Sequence, residues 1–307
     1  MPFELKSYPH KTRKSQFMFQ LILWALAAGL VWCLVGVIYG KAPSDKKEFY
    51  SFSLVYVVAY LFSAIFMSRP QAAEVKNVLK VSVFIVPSSI IMLLGFFYLK
   101  RAMDVGSQGI AWSIAQSSVV VPFLGSTFFL GSKSGLFQWV GIVILGVSLA
   151  LLSLSKQGGS DDNGKGFLKY TVLAFVLIGM AQFIQMIPGH IGCSDESLTW
   201  RVSIAAPASV IWWAGVCISQ KAFNLKKVWK LSVLYGVVVT IGQILFYKAV
   251  DAGDACQMTA VVCPIAIGSC IFLFSLYCSI IRHEKTSLLS RAGILLNVAG
   301  IVLLSVK

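Results

Sequence analysis

Two short stretches decide the reading of this chain. Phe97-Tyr98 leads into Ala102-Met103-Asp104-Val105-Gly106, and Phe246-Tyr247 leads into Ala249-Val250-Asp251-Ala252-Gly253, so that an Ala-x-Asp-x-Gly element recurs at an offset of 147 residues. A second pair closes each copy: the stretch from Gly141 to Leu151-Leu152-Ser153 is matched by that from Gly293 to Leu303-Leu304-Ser305, at an offset of 152. Two landmarks in the same order near one spacing describe an internal duplication.

The landmarks sit in a chain that is mostly apolar. Of 307 residues, 57% are hydrophobic and 12% charged, and the mean hydropathy is +0.80. A soluble domain carries about 25% charged residues, so that class is excluded. Crossing a hydrocarbon core of about 30 Å takes about 20 apolar residues. Ten runs between charged punctuation satisfy this: 17–40, 49–68, 81–99, 106–130, 136–154, 167–187, 200–219, 231–248, 255–281 and 292–306. The first follows Lys11, Arg13 and Lys14, is too long for a signal-peptide core and lacks a small-x-small cleavage site, so it is expected to stay as a span.

Between the fifth and sixth runs lies the polar, Gly-rich stretch Gln157-Gly158-Gly159-Ser160-Asp161-Asp162-Asn163-Gly164-Lys165-Gly166. It reads as a linker. The expected organisation is therefore a first five-helix copy over 1–156, a linker over 157–166 and a second five-helix copy over 167–307. An odd number of spans per copy inserts the second copy with opposite orientation. The predicted fold class is all-α integral membrane, ten transmembrane helices as two inverted five-helix repeats, with a substrate site near the midplane between them.

The net charge of +14 is spread in short clusters between apolar runs. These read as interface anchors and topology signals, and no nucleic-acid partner is expected. With the N-terminus inside, 11 Lys and Arg fall on the cytoplasmic side and 15 on the other, out of 26. The first half favours N-inside and the first helix usually dominates insertion, so both termini are placed in the cytoplasm. The seven cysteines form no CxxC pair, and neither a disulfide framework nor a metal site is expected.

All twelve acidic residues lie in loops or at span ends. A proton relay or a site for lipophilic cations normally needs a carboxylate within the membrane, so a neutral or weakly polar substrate is expected. If protons are coupled, the repeat-equivalent Asp104 and Asp251 are the nearest candidates, with helix-end capping as the simpler role. Inside the spans stand amides and aromatics instead. Trp112 and Gln116 are four apart, Gln182 and Gln185 three apart, and Gln243 and Tyr247 four apart, each pair sharing a helix face. An amide in hydrocarbon must face protein or a wet cavity. These six are the candidate substrate contacts, with interhelical hydrogen bonding as the alternative.

Pro122 and Pro264 interrupt the fourth and ninth runs, which are repeat partners, and mark them as cavity-lining. Arg101, Lys248 and Arg201 stand at membrane edges, where snorkelling explains them. The alternative is that Lys248 or Arg201 meets an anionic group in the cavity. His190, after Pro188-Gly189, reads as a loop residue. No GxSxG elbow, HExxH helix, P-loop or His-carboxylate cluster is present, so an enzyme is not expected, nor a cofactor.

The two five-span copies, each with an Ala-x-Asp-x-Gly-like element before its fourth span and a Gly-rich last span, resemble the drug/metabolite transporter superfamily with EamA-type repeats. Ala102-Met103-Asp104-Val105-Gly106-Ser107 followed by Ile110-Ala111-Trp112-Ser113-Ile114-Ala115-Gln116-Ser117 looks most like its branch of rhamnose-proton symporters and bacterial glucose-uptake proteins. The resemblance covers nearly the whole chain and implies a bacterial inner-membrane carrier for a sugar or similar polyol, with proton coupling left open. An exporter of amino acids or other metabolites is the rival. The small multidrug-resistance relatives carry an acid in their first span, and the run from Phe17 to Gly40 has none. The expected partners are a small-molecule substrate and the lipid bilayer, with the chain acting as a monomer or homodimer.

Overall fold

A computed structural model describes residues 10–67, 72–131, 134–154, 161–193, 199–256, 262–284 and 287–304. In chain order the helices are α1 (His10–Gly40), α2 (Lys46–Met67), α3 (Val75–Val105), α4 (Gln108–Gln116), α5 (Val120–Phe129), α6 (Leu136–Leu154), α7 (Asp161–His190), α8 (Arg201–Gln220), α9 (Leu225–Cys256), α10 (Val262–Ile280) and α11 (Leu288–Leu304). No strand occurs among the described residues. Seven helical stretches are long and apolar enough to cross a membrane, with α4 and α5 counted as one, and three shorter apolar helices lie within α6, α10 and α11.

The outer faces fix the solvent. Phe66, Leu79, Phe129, Val143, Ile211, Ile218, Leu288 and Leu295 are among many large apolar side chains left more than half exposed. In water such a surface is untenable; facing acyl chains it costs nothing. The protein is embedded in a membrane by its helices.

Two readings differ from the sequence expectation. Residues 161–166 of the expected linker are helical and belong to α7. His190 is the last residue of that helix, where its Nδ1 lies 3.3 Å from the Met186 carbonyl oxygen one turn back, and not a loop residue. Pro264 is the third residue of the described helix α10, and residues 257–261 just before it lie outside the described residues. Pro122 does mark a break: α4 gives way to a single 3-10 turn over Ser117–Val119 before α5 begins. A proline at 122 cannot donate to the carbonyl of Ser118 and crowds it, which unwinds the turn.

Packing follows a regular scheme. α3 lies along α7 as α1 lies along α9, α1 contacts α10 as α5 and α4 contact α7, and α2 meets α9 as α8 meets α3. Three further pairs, α2 with α8, α4 with α10 and α6 with α11, join helices of the two halves. Small residues allow the close approaches. A Cβ on Gly95 would come within 2.7 Å of Ile178, and one on Gly242, 147 positions later, within 2.7 Å of Trp32. Where α6 crosses α11, a Cβ on Gly141 would stand 2.9 Å from the Gly300 carbonyl oxygen, and one on Gly300 would stand 3.0 Å from that of Gly141. The contact is reciprocal, and Ser148 Oγ donates to the Gly293 carbonyl 2.8 Å away beside it.

Candidate functional site

The two ends of the bundle are built differently. One end is clasped by polar groups. The C-terminal turns of α1 and α3, the start of α4 and the loop before α11 meet there. Lys100 is buried and pairs with Asp104 one turn along α3. Ser44 Oγ donates to the same carboxylate at 2.8 Å. Lys100 Nζ and Gln108 Nε2 reach the carbonyl of Gly40, at 3.5 and 3.2 Å. Arg101 donates to the Ser44 carbonyl at 3.0 Å, with its guanidinium 5.2 Å from the centroid of Phe97.

Glu284 contributes from the other half of the chain. Its carboxylate accepts from Ser107 Oγ at 2.6 Å and from the backbone N–H groups of Gln108 and Gly109 at 3.3 and 3.4 Å. Arg282 holds it from behind at 3.2 Å. The first turn of α4 has unsatisfied N–H donors and a positive dipole end, so an acid placed there is stabilised and holds the helix start in place. Glu284 was not singled out from the sequence, because its partners lie about 175 positions away.

Beneath the clasp lies an aromatic plug. Tyr39 is packed edge-on against Phe49 and Phe96, with centroids 6.2 and 5.7 Å away, and its hydroxyl donates to the Phe96 carbonyl at 2.6 Å. Tyr235, 5.4 Å from Tyr39, and Phe52, 5.6 Å from Tyr235, complete the layer.

The other end is hollow. A cavity of about 960 Å³ is lined by α2, α3, the 3-10 turn with α5, α7, α8, α9, α10 and α11. Its size suits a small molecule. Gln182, Gln185, His190, Arg201 and Gln243 supply most of its polar wall, and Tyr60, Met92, Phe123 and Phe246 much of its apolar wall. Pro122 and Val119 line it at the broken helix. The cavity and the clasp are at opposite ends, since Ser126 in the cavity is 18 residues, or roughly 27 Å of helix, beyond Gln108 in the clasp. Gln182 Oε1 is buried there with no partner among the described residues.

The candidate residues therefore separate. Gln182, Gln185 and Gln243 are brought together in the cavity wall, and Arg201 joins them. Trp112 is not among the lining residues: it is 2% exposed, its ring lies 5.3 Å from Phe274, and its Nε1 donates to Cys270 Sγ at 3.4 Å. It is core packing at the junction of α1, α4 and α10. Gln116 ends α4 and is also outside the lining. The serines near it make interhelical bonds instead, with Asn297 Nδ2 donating to Ser117 Oγ at 2.5 Å and Ser113 Oγ lying 3.4 Å from Ser275 Oγ. Asp104 belongs to the clasp, remote from the cavity. Lys248 is exposed, with its ammonium 4.9 Å over the Trp24 ring. Tyr247 and Asp251 are in helix α9, but their side chains lie outside the described residues. Among the described residues no cluster of His, Cys, Asp and Glu could hold a metal ion.

These features define an all-helical membrane protein with a one-ended central cavity. A solved protein described only as "Crystal structure of protein" shares the fold, with TM-score 0.58 and 15% identity over 92% of this chain and 96% of that one. No family model and no curated protein matches the chain.

Proposed function

We propose that this chain is a secondary transporter that moves a small polar metabolite, a sugar or similar polyol, across the membrane by alternating access. The observation that carries the reading is the contrast of ends: a cavity of about 960 Å³ walled by three glutamines and closed at the other end by a polar clasp over an aromatic plug. A glutamine offers two donors and an acceptor with two lone pairs, which suits hydroxyl groups that both give and take hydrogen bonds.

The pairing of helices supports two inverted five-helix repeats. Exchanging the first five spans for the last five turns α3–α7 into α1–α9, α1–α10 into α5 and α4 with α7, and α2–α9 into α8–α3, and the Gly95 and Gly242 contacts fall at the same offset as the Ala-x-Asp-x-Gly landmark. In that arrangement rocking one copy on the other opens the clasped end as it closes the hollow one. The clasp is where such a movement is felt, since Glu284 of the second copy holds the helix start of the first. We place the protein in a bacterial inner membrane with both termini cytoplasmic; the start of α1 and the end of α11 lie at the hollow end, so the cavity then faces the cytoplasm.

The test is uptake of labelled sugars and amino acids into proteoliposomes holding the purified full chain, with and without an inward proton gradient. Gradient-stimulated accumulation of a sugar establishes a proton-coupled carrier. Absence of uptake and of counterflow for every solute in the panel overturns the transporter reading.

A further inference from the structure

The cavity wall carries a charge that a neutral sugar would not use. Among the described lining residues Arg201 is the only fixed charge, and none is a carboxylate. Its position is not that of a snorkelling side chain. Arg201 is half-buried with Nε sealed from solvent, whereas Lys248, the other basic residue considered for this role, is exposed and lies over Trp24 outside the cavity. Arg201 also opens α8, where Trp200 offers no side-chain cap and the helix dipole adds positive potential. His190 ends α7 in the same wall, and its contact to the Met186 carbonyl through Nδ1 leaves Nε2 for a second partner. A cation against an apolar wall repels cations and draws an anion, and a guanidinium has five N–H donors, so a contact to protein still leaves a fork for carboxylate or phosphate.

The glutamines offer something different. Gln182 and Gln185 stand about 12 and 8 Å of helix from His190 in the same wall, and each amide carries both donors and an acceptor, which suits hydroxyl groups.

We infer that the cavity selects a polyhydroxylated solute bearing one acidic group, with Arg201 holding the acid near the mouth and Gln182, Gln185 and Gln243 binding the hydroxyls beyond it. The inference rests on the transporter reading and narrows its substrate from neutral sugars to sugar acids and sugar phosphates.

Matched pairs test it, with the full chain in proteoliposomes: glucose against glucuronate, galactose against galacturonate, and glucose against glucose 6-phosphate. Each pair shares a ring and differs in one acidic group. The expected result is uptake or counterflow of at least one acid well ahead of its neutral parent, and the arm that responds distinguishes carboxylate from phosphate. Arg201→Gln is expected to lower that acid's uptake about 10- to 100-fold, the loss of one charge-assisted contact, and with it the acid-to-neutral ratio. Arg201→Lys, which keeps the charge and loses the fork, is expected to fall between, and it stands in if the glutamine variant does not fold. Neutral sugars carried as fast as their acids, or an acid-to-neutral ratio that Arg201→Lys and Arg201→Gln both leave unchanged, overturns the inference while the transporter stands. No movement of any solute in the panel overturns both.

Discussion

The two ends of this bundle use the same kinds of residue for opposite purposes. At the clasped end the carboxylates and the amide have partners within the protein: Asp104 with Lys100 and Ser44, Glu284 with Ser107 and the first N–H groups of α4, Gln108 with Gly40. At the hollow end Gln182 keeps a buried carbonyl oxygen with no partner. Satisfied networks rigidify a structure, and unsatisfied buried groups cost stability unless something else binds them. The difference teaches how each end uses its polar groups, in contacts within the protein at one and in the wall of a cavity at the other.

Substitutions that break this contrast should differ in what they damage. The largest effect is expected in the core between the ends: Trp112→Ala should destabilise by about 3–5 kcal/mol through the void it leaves, seen as a steep fall in thermal midpoint and yield of folded protein. If the variant folded normally and lost only substrate affinity, Trp112 would belong to the cavity after all. Next, Glu284→Ala removes the acid from the start of α4 and should cost about 1.5–3 kcal/mol. It should also make Cys278 reactive; this thiol is 1% exposed, and a Cβ at Gly109 would stand 3.3 Å from its Cβ. Maleimide labelling resolved by peptide mass spectrometry reads this, and unchanged protection would mean that the clasp does not depend on Glu284.

The cavity should respond in the other direction. Gln182→Leu is expected to weaken substrate affinity about tenfold, near 1.4 kcal/mol, while the thermal midpoint holds or rises, because a buried acceptor without a partner is removed. A lower midpoint with affinity intact would make Gln182 structural.

The smallest effect concerns Asp45, beside the clasp. Its carboxylate accepts from the backbone N–H of Glu48 at 3.0 Å at the start of α2, and that bond holds its carboxyl below the usual range of about 3.8. A lowered value in the fold means that stabilisation is present above the unfolded value and is lost as pH falls through the folded one. Asp45→Asn should therefore flatten the acid limb of a midpoint-against-pH curve slightly and leave it unchanged at neutral pH. A difference confined to neutral pH would exclude this role.

The helices were legible because apolar runs report their solvent directly. So were the three cavity glutamines, since an amide in such a run must face something polar and Gln182, Gln185 and Gln243 do. Trp112 shows the limit of that logic. Four residues from Gln116 it shares a helix face with an amide, but a face is shared with whatever packs on it, and Phe274 and Cys270 fill that position from 158 and more residues away. His190 was displaced for a related reason: helix ends depend on capping and packing more than on the breaker residue itself.

The sequence by itself determined the membrane class and the positions of most helices, because both rest on local composition along the chain. Only the tertiary structure decided that Arg201 lines the cavity while Lys248 does not, that Asp104 is part of a clasp, and that Glu284 holds the start of α4. Those assignments depend on pairings between segments about 60 to 177 residues apart. Nothing in the local pattern around Glu284 or Arg201 encodes which distant helix comes to meet it.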